Sequence, residues 1–161
     1  MTGNGAAKRA AQLFQQAYEA QMKGDLGAAE DLYKRSIEAW PTAEAHTFLG
    51  WTYSFQGALD EAIAECKKAI AVDPSFGNPS NDIGAYLLEM GKVDEAIPWL
   101  ERATRAQRYE APHYPRFNLG RAFLIKEMFS RALEEFERAA EISPAFEPAL
   151  RAAEALKRRI N

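Results

Sequence analysis

Cysteine and histidine are scarce in this sequence of 161 residues, which contains one cysteine and two histidines. The single thiol, Cys66, cannot form a disulfide within the chain, and a fold without disulfides is typical of a reducing compartment. We interpret Cys66 as a small buried residue of a helix rather than a nucleophile. His46 and His113 belong to no cluster of His, Cys and carboxylate residues, so we expect no metal site and no cofactor.

An excess of positive charge is also lacking, since 20 Lys and Arg residues face 23 Asp and Glu residues, for a net charge of -3. Proteins that bind nucleic acid hold phosphates with clustered Lys and Arg. The one basic run, Lys157, Arg158 and Arg159, is interpreted as the last turn of a helix, where cations oppose the partial negative charge of the terminal carbonyl groups. We therefore expect no nucleic-acid partner.

Long apolar runs and catalytic motifs are missing as well. Residues 1–9 are small and polar, with no apolar segment behind them, so we expect no secretory signal. No stretch reaches the length that spans a bilayer. There is neither a glycine-rich phosphate loop nor a catalytic constellation of residues. We expect a soluble cytoplasmic protein that is not an enzyme.

What the sequence does contain is a repeat. The segment Leu49-Gly50-x-x-Tyr53 recurs as Ile83-Gly84-x-x-Leu87 and as Leu119-Gly120-x-x-Phe123. Each copy is followed at fixed spacing by an Ala and a larger apolar residue, and a more degenerate copy lies at the front. The spacing of about 34 residues is typical of stacked helix pairs. The pairs that follow the three copies are Ala62 and Cys66, Ala96 and Leu100, and Ala132 and Phe136.

Each repeat unit is predicted to form two helices, called helix A and helix B. In the second unit, helix A is expected near Ala43 to Phe55 and helix B near Leu59 to Val72. Gly57 lies between them, where a tight turn favours a residue that tolerates positive φ. Gly24 and Gly91 have the same place in units one and three. Glu127 replaces this glycine in unit four, so we expect a different turn geometry there.

Prolines mark the ends of the helices. Pro41, Pro74 and Pro144 are predicted to end a helix B, because proline has no amide donor and clashes with the preceding turn. Pro98 falls early in a helix B and is expected within its first turn or so, where amides lack an intrahelical acceptor.

Glycines in the middle of each helix A have a different role. Gly costs roughly 1 kcal/mol against Ala inside a helix, and yet Gly50, Gly84 and Gly120 occur at the same position of three units. We expect that another backbone approaches each of them closely.

These residues resemble the tetratricopeptide repeat family, whose consensus is Trp-x-x-Leu-Gly-x-x-Tyr, followed by Ala-x-x-x-Phe, Ala and Pro. The resemblance implies an all-α, right-handed superhelical solenoid of antiparallel helix pairs, with helix A lining its concave face. We predict a flexible N-terminus at 1–9 and a repeat array at 10–146, capped by a last helix at 147–161. The predicted units are 10–42, 43–76, 77–112 and 113–146.

The sequence departs from the consensus in two respects. Leu13, His46, Ser80 and Arg116 occupy the position of the consensus Trp. Arg108 stands about where unit three should have its closing Pro, and extra residues follow, so the loop is expected to alter the twist between units three and four.

The resemblance also indicates which helix-A residues face the groove. The set is rich in aromatic side chains, which are enriched at binding hot spots, although some of these rings could instead pack between adjacent helices. Asn78 is interpreted as a helix cap, whereas Asn81 and Asn118 lie inside helix A, where propensity does not favour Asn. The candidate peptide-binding residues are Phe14, Tyr18, Trp51, Phe55, Asn81, Leu88, Tyr114, Phe117, Asn118 and Arg121.

The resemblance implies a protein–protein interaction scaffold or adaptor, with an extended or helical peptide segment of another protein bound in the groove. A clamp for a C-terminal carboxylate is not expected, because Phe14 and Tyr18 stand where its first Lys and Asn would be. The alternative is a structural self-assembly module in which the chain forms homo-oligomers.

Overall fold

The computed structural model describes residues 3–161, and over this part of the chain it is made of nine α-helices with no strand. The prediction of an all-α repeat fold is thereby confirmed. The helices are α1 Gly3–Met22, α2 Leu26–Ala39, α3 Ala43–Phe55, α4 Leu59–Val72, α5 Asn78–Glu89, α6 Val93–Thr104, α7 His113–Ile125, α8 Phe129–Ile142 and α9 Glu147–Ile160.

Each helix packs on the helices before and after it in the chain, which is the arrangement of a solenoid. The pairs α1–α2, α3–α4, α5–α6 and α7–α8 correspond to helices A and B of the four units, while the exact bounds of the units stay a prediction. The A helices α1, α3, α5 and α7 also contact each other across successive pairs. Direct contact between alternate helices places the A helices together on one face of the stack.

The turn between helices A and B has the same backbone in all four pairs. Gly24, Gly57 and Gly91 have φ values of 81°, 79° and 77°, as the sequence predicted. The expectation of a different geometry at Glu127 is wrong, because this residue has a φ of 58°. A glutamate therefore adopts the left-handed conformation that glycine adopts in the other turns, although its Cβ makes that conformation costly.

The ends of the B helices follow the prolines. Helices α2, α4 and α8 end two residues before Pro41, Pro74 and Pro144, as expected. Pro98 differs, because it is the sixth residue of α6 and lies in the second turn. Its side chain is exposed, so the carbonyl group of Asp94 that loses a helical donor lies on the solvent face, where water can replace the missing amide.

The first helix begins before the predicted repeat array. Residues 1 and 2 lie outside the described part of the chain, but residues 3–9 form the first turns of α1. The helix is held to α2 by Ser36, whose buried hydroxyl donates a 2.7 Å hydrogen bond to the carbonyl oxygen of Ala10. The flexibility of residues 1–9 stays a prediction.

The mid-helix glycines are packed as closely as predicted, with different nearest neighbours. A Cβ at Gly50 would lie 2.9 Å from the carbonyl oxygen of Ala62, so a backbone is close in unit two, as expected. At Gly84 and Gly120 the nearest atoms belong to the side chains of Leu100 and Phe136, at 2.4 and 2.5 Å from such a Cβ. The glycine positions of units three and four thus receive large helix-B side chains.

Two positions of the consensus Trp carry polar side chains that pair with a glutamate across helices A and B. In unit two, Nδ1 of the buried His46 lies 2.8 Å from Oε2 of the buried Glu65. In unit four, Arg116 donates to Glu135 over 3.2 Å. Burial alone would raise the pKa of Glu65, but hydrogen bonds from His46 and Lys68 lower it. Polar pairs in these units therefore occupy the interface that the consensus fills with an indole ring.

The loop between α6 and α7 is fastened to the preceding repeat. The amide of Gly77 donates to the carbonyl oxygen of Arg108, and the amide of Arg108 donates to that of Ser75, both over 3.0 Å. The guanidinium group of Arg108 also binds Glu44 and Asp73, at 2.9 and 2.8 Å. The residue in place of the closing proline thus joins three segments of the array.

The last helix, α9, packs on α8. Ala149, Ala153 and Leu156 form its buried stripe, whereas Leu150 and Ile160 are 41% and 46% exposed. The spacing of the buried residues, four and then three positions, places them on one face of the helix.

Candidate functional site

The four A helices line one groove, with a volume of about 350 Å³. Side chains of all four repeat units reach it, so the groove runs along the inner face of the stack. We call Tyr18, Phe48, Trp51 and Tyr114 the groove rings, since they supply its aromatic surface. The lining residues are Tyr18, Thr47, Phe48, Trp51, Asn78, Asp82 and Tyr114.

The aromatic residues of units one and two form a continuous chain of rings around Phe48. The centroid of Phe48 lies 5.2 Å from Phe14, 5.9 Å from Tyr18 and 5.7 Å from Trp51, each in an edge-to-face arrangement. Trp51 contacts Phe55 at 5.1 Å. These rings support one another laterally, but Tyr18 and Phe55 remain 37% and 58% exposed.

A second aromatic group belongs to unit four. Tyr114 is 44% exposed and stacks on His113, with a centroid distance of 4.3 Å. Phe117 contacts Phe146 at 5.3 Å and the core ring of Phe136 at 5.5 Å. Tyr114 therefore presents its ring to the groove, while Phe117 mainly joins helix α7 to the core and to the segment before α9.

The candidate asparagines are used in the contact between α5 and α7. Both are 7% exposed, and the amide of Asn118 donates to the side-chain oxygen of Asn81 over 2.9 Å. Arg121 in turn donates to the side-chain oxygen of Asn118 over 3.0 Å. These three residues form one hydrogen-bonded chain. Arg121 is partly buried, whereas both asparagines are buried.

Two expectations about α5 need correction. Leu88 is 7% exposed and lies in the hydrophobic core, so its side chain is not available to a ligand. Asn78 is not a helix cap, because α5 has Gly77 at its N-cap and no capping side-chain hydrogen bond. Asn78 lines the groove instead.

Asp82 is the acidic one of four groove residues that are not among the candidates, and the other three are Thr47, Phe48 and Asn78. Asp82 lies one turn after Asn78 on α5, so both side chains share a helix face, and this spacing was the available signal. Burial raises the pKa of Asp82 to about 7, with a partial opposing effect from a hydrogen bond to Asn81. The groove thus contains a carboxyl group that titrates near neutral pH.

The groups around Asp82 are weak acids. The carboxyl group interacts electrostatically with Cys66 of α4, Tyr86 of α5 and Tyr109 of the loop before α7. Burial raises the pKa of all three, with Asp82 a smaller cause, so they are neutral at neutral pH. The buried Tyr86 hydroxyl has no hydrogen-bond partner among the described residues.

No group of three or more His, Cys, Asp and Glu side chains within residues 3–161 could hold a metal ion. No helix in the same range is long and apolar enough to cross a membrane. Cys66 is buried, and burial raises the pKa of its thiol, which disfavours the reactive thiolate.

One curated relative of the chain is the small glutamine-rich tetratricopeptide repeat-containing protein 2 of Mycosarcoma maydis. The two chains are 31% identical over 90 residues, which are 55% of this chain and 26% of that protein. The chain thus matches about a quarter of the length of this relative.

Solved structures share the fold. The structure titled as the functional characterization of PilF from Pseudomonas aeruginosa superposes with a TM-score of 0.90 at 22% identity, over 96% of this chain and 70% of that one. YrrB, described as a tetratricopeptide protein with an unusual peptide-binding site, gives 0.68 at 23% identity, over 89% and 74% of the two chains.

A family model settles the classification. The model described as tetratricopeptide repeat matches residues 14–75 and 81–147, which together make up most of the chain and contain residues of all four helix pairs. The chain belongs to the tetratricopeptide repeat family.

Proposed function

We propose that the chain is a non-catalytic scaffold that binds a peptide segment of another protein in the groove of helices α1, α3, α5 and α7. One observation carries the proposal: side chains from four successive units converge on a single groove of about 350 Å³. A groove that extends across several units suits an elongated ligand, which can contact each unit in turn.

The surface of the groove supports this function. The groove rings give large rigid contact area, and Tyr and Trp lose little side-chain entropy when they are fixed by a ligand. Asn78 adds a polar amide beside them, which can bind the backbone of an extended segment. Among similar folds, YrrB is described as having a peptide-binding site, and its resemblance to this chain makes the same class of ligand reasonable.

We expect a ligand of a different type from the one that a carboxylate clamp binds. Phe14 and Tyr18 occupy the positions of the first Lys and Asn, and a carboxylic acid, Asp82, lies in the groove. A C-terminal carboxylate would be repelled by the ionised form of Asp82. We therefore propose a ligand that contacts the groove with internal side chains.

Panning of a random peptide library against the immobilised chain tests the proposal. Enriched peptides should lose most of their affinity for Trp51→Ala, because Trp51 lies in the groove, and should keep it for Trp40→Ala. Trp40 is a suitable control, since its ring is 45% exposed and does not line the groove. Arg121→Ala is expected to weaken binding less than Trp51→Ala does, because Arg121 is bonded to Asn118. If Trp51→Ala folds normally and binds like the wild type, the groove proposal is wrong.

A further inference from the structure

We propose that the groove selects a positively charged side chain, Lys or Arg, in the bound segment, with Asp82 as its counter-ion and the groove rings as its walls. The inference rests on the proposed function and names the chemistry of one ligand position. It is carried by the placement of one carboxyl group without a cationic partner in a groove that is otherwise aromatic and neutral.

Asp82 has no cationic partner within residues 3–161. No ion pair of the described chain includes it, and its side-chain hydrogen bond is to Asn81. The two most buried carboxylates on the B helices, Glu65 and Glu135, are each paired, with His46 and Lys68 and with Arg116 and Arg138. The fold therefore supplies cations to buried carboxylates elsewhere and supplies none to Asp82.

Arg121, the basic residue among the candidates, forms no ion pair with Asp82. The guanidinium group of Arg121 is directed to the side-chain oxygen of Asn118, at 3.0 Å. The groups that do face Asp82 from α4, α5 and the loop before α7 are Cys66, Tyr86 and Tyr109, which are uncharged at neutral pH. A ligand is thus the remaining source of positive charge at this position.

The groove rings favour the same occupant. A cation near the face of Trp or Tyr is attracted by the ring quadrupole, and the attraction increases when water is excluded. Tyr18 and Trp51 approach from one side of the groove, and Tyr114 from the other. The long apolar stems of Lys and Arg can pack on such rings while the charged end reaches a carboxylate.

Other side chains fit less well. An acidic side chain would lie beside a second carboxyl group, and like charges in a partly buried site repel. An aliphatic side chain would cover Asp82 and leave it without a partner, which is costly for a buried polar group. A basic side chain alone both satisfies Asp82 and uses the rings.

Binding should then depend on pH. A bound cation favours the ionised form of Asp82, so the complex forms with loss of a proton whenever Asp82 is protonated in the free chain. Affinity should rise as the pH increases from about 6 to about 8 and level off above the pKa of Asp82. Burial lowers the pKa of His113, the neighbour of Tyr114, and a variant that changes Asp82 alone keeps this histidine, so the comparison separates the two groups.

The test uses peptides enriched by panning on the wild-type chain. The dissociation constant of one enriched peptide is measured by fluorescence polarisation for the wild type and for Asp82→Asn. The same peptide with its basic residue replaced by norleucine is measured in parallel. We expect enriched sequences to contain Lys or Arg at one shared position, and either change to weaken binding about tenfold or more. The affinity of Asp82→Asn should not depend on pH between about 6 and 8.

The peptide substitution keeps the test valid even if Asp82→Asn folds poorly, because it leaves the protein unchanged. If groove-dependent peptides lack a shared basic position, or if norleucine binds as well as Lys or Arg, the charge inference is overturned while the groove proposal stands. If no peptide is enriched, or if Trp51→Ala binds the enriched peptides like the wild type, the groove proposal fails and this inference fails with it.

Discussion

At the scale of single residues, a few side chains determine the chemistry of the groove, and their surroundings could not be predicted from the neighbouring sequence. Asp82 shares a helix face with Asn78, and burial raises its pKa to about 7. Residues that serve a ligand commonly cost stability in the free protein. Asp82, whose carboxyl group lies in a partly buried groove without a cation, is such a residue, and the stability that it costs can be measured.

Asp82→Asn should stabilise the free chain at high pH. The carboxyl group of Asp82 has a higher pKa in the folded state than in the unfolded chain, where it is near 3.8. The contribution of this group to the free energy of unfolding of the wild type therefore falls as the pH rises from about 4 to about 7. The variant lacks this loss and should be more stable than the wild type by roughly 1–3 kcal/mol at about pH 8.

The measurement is urea denaturation of both chains across this pH range. The difference in free energy of unfolding should be small at about pH 4 and reach its plateau near pH 7. Other carboxyl groups such as Glu65 cancel in the difference. A difference that is independent of pH would contradict the account of Asp82.

Glu127→Gly should also be stabilising, by about 0.5–1 kcal/mol, because glycine removes the cost of a Cβ at a φ of 58°. Gly91→Glu is the matched control in the equivalent turn, where φ is 77°, and should destabilise by about 1 kcal/mol. Thermal denaturation of both variants measures the two shifts. A lower melting temperature for Glu127→Gly would show that the glutamate side chain contributes more stability than its left-handed backbone conformation removes.

At the scale of helices, the repeat spacing and the turn residues determine where each element begins and ends. Helices α3 and α4 begin and end at the residues expected from Gly57 and Pro74. The rotation of each helix was harder to predict. Helix α5 is buried on most sides, because it packs on α3, α4, α6 and α7. The family pattern assigns Leu88 and Asn81 to the groove, and hydrophobic periodicity cannot correct this, because it does not separate the groove face of α5 from its core face.

Packing between helices A and B predicts opposite effects for two glycine substitutions. Gly50→Ala should destabilise the chain by about 1–3 kcal/mol, since its Cβ would lie 2.9 Å from the carbonyl oxygen of Ala62. Gly27→Ala in α2 has nothing within 4 Å of the new Cβ and should stabilise by up to about 1 kcal/mol through helix propensity. Urea midpoints compare the two, and equal effects would argue against close packing at Gly50.

At the scale of the whole molecule, the fold is a linear stack in which each helix is stabilised by its neighbours. The family and the all-α architecture could be predicted from the sequence, because the same small and large residues recur at fixed spacing. The groove could be predicted only in outline. Phe48 and Asp82 also line the groove, although the family pattern indicates residues beside them in the sequence. Their place in the groove depends on how the four units stack together.

The stack needs its last helix. Removal of residues 147–161 should lower the melting temperature, because α9 covers part of α8 with Ala149, Ala153 and Leu156. The truncated chain should also associate, since the uncovered face of α8 is apolar. Light scattering across concentration checks this, with the full chain as control. Concentration-dependent oligomers of the full chain would instead support the alternative of a self-assembly module.

The central claim is that a peptide segment binds in the groove of the A helices, and the most direct measurement is a backbone amide NMR titration with one peptide enriched by panning. The account predicts that the largest chemical-shift changes fall in α1, α3, α5 and α7, around Tyr18, Trp51, Asp82 and Tyr114. Shift changes concentrated in α2, α4, α6 and α8, or confined to α9, would contradict it.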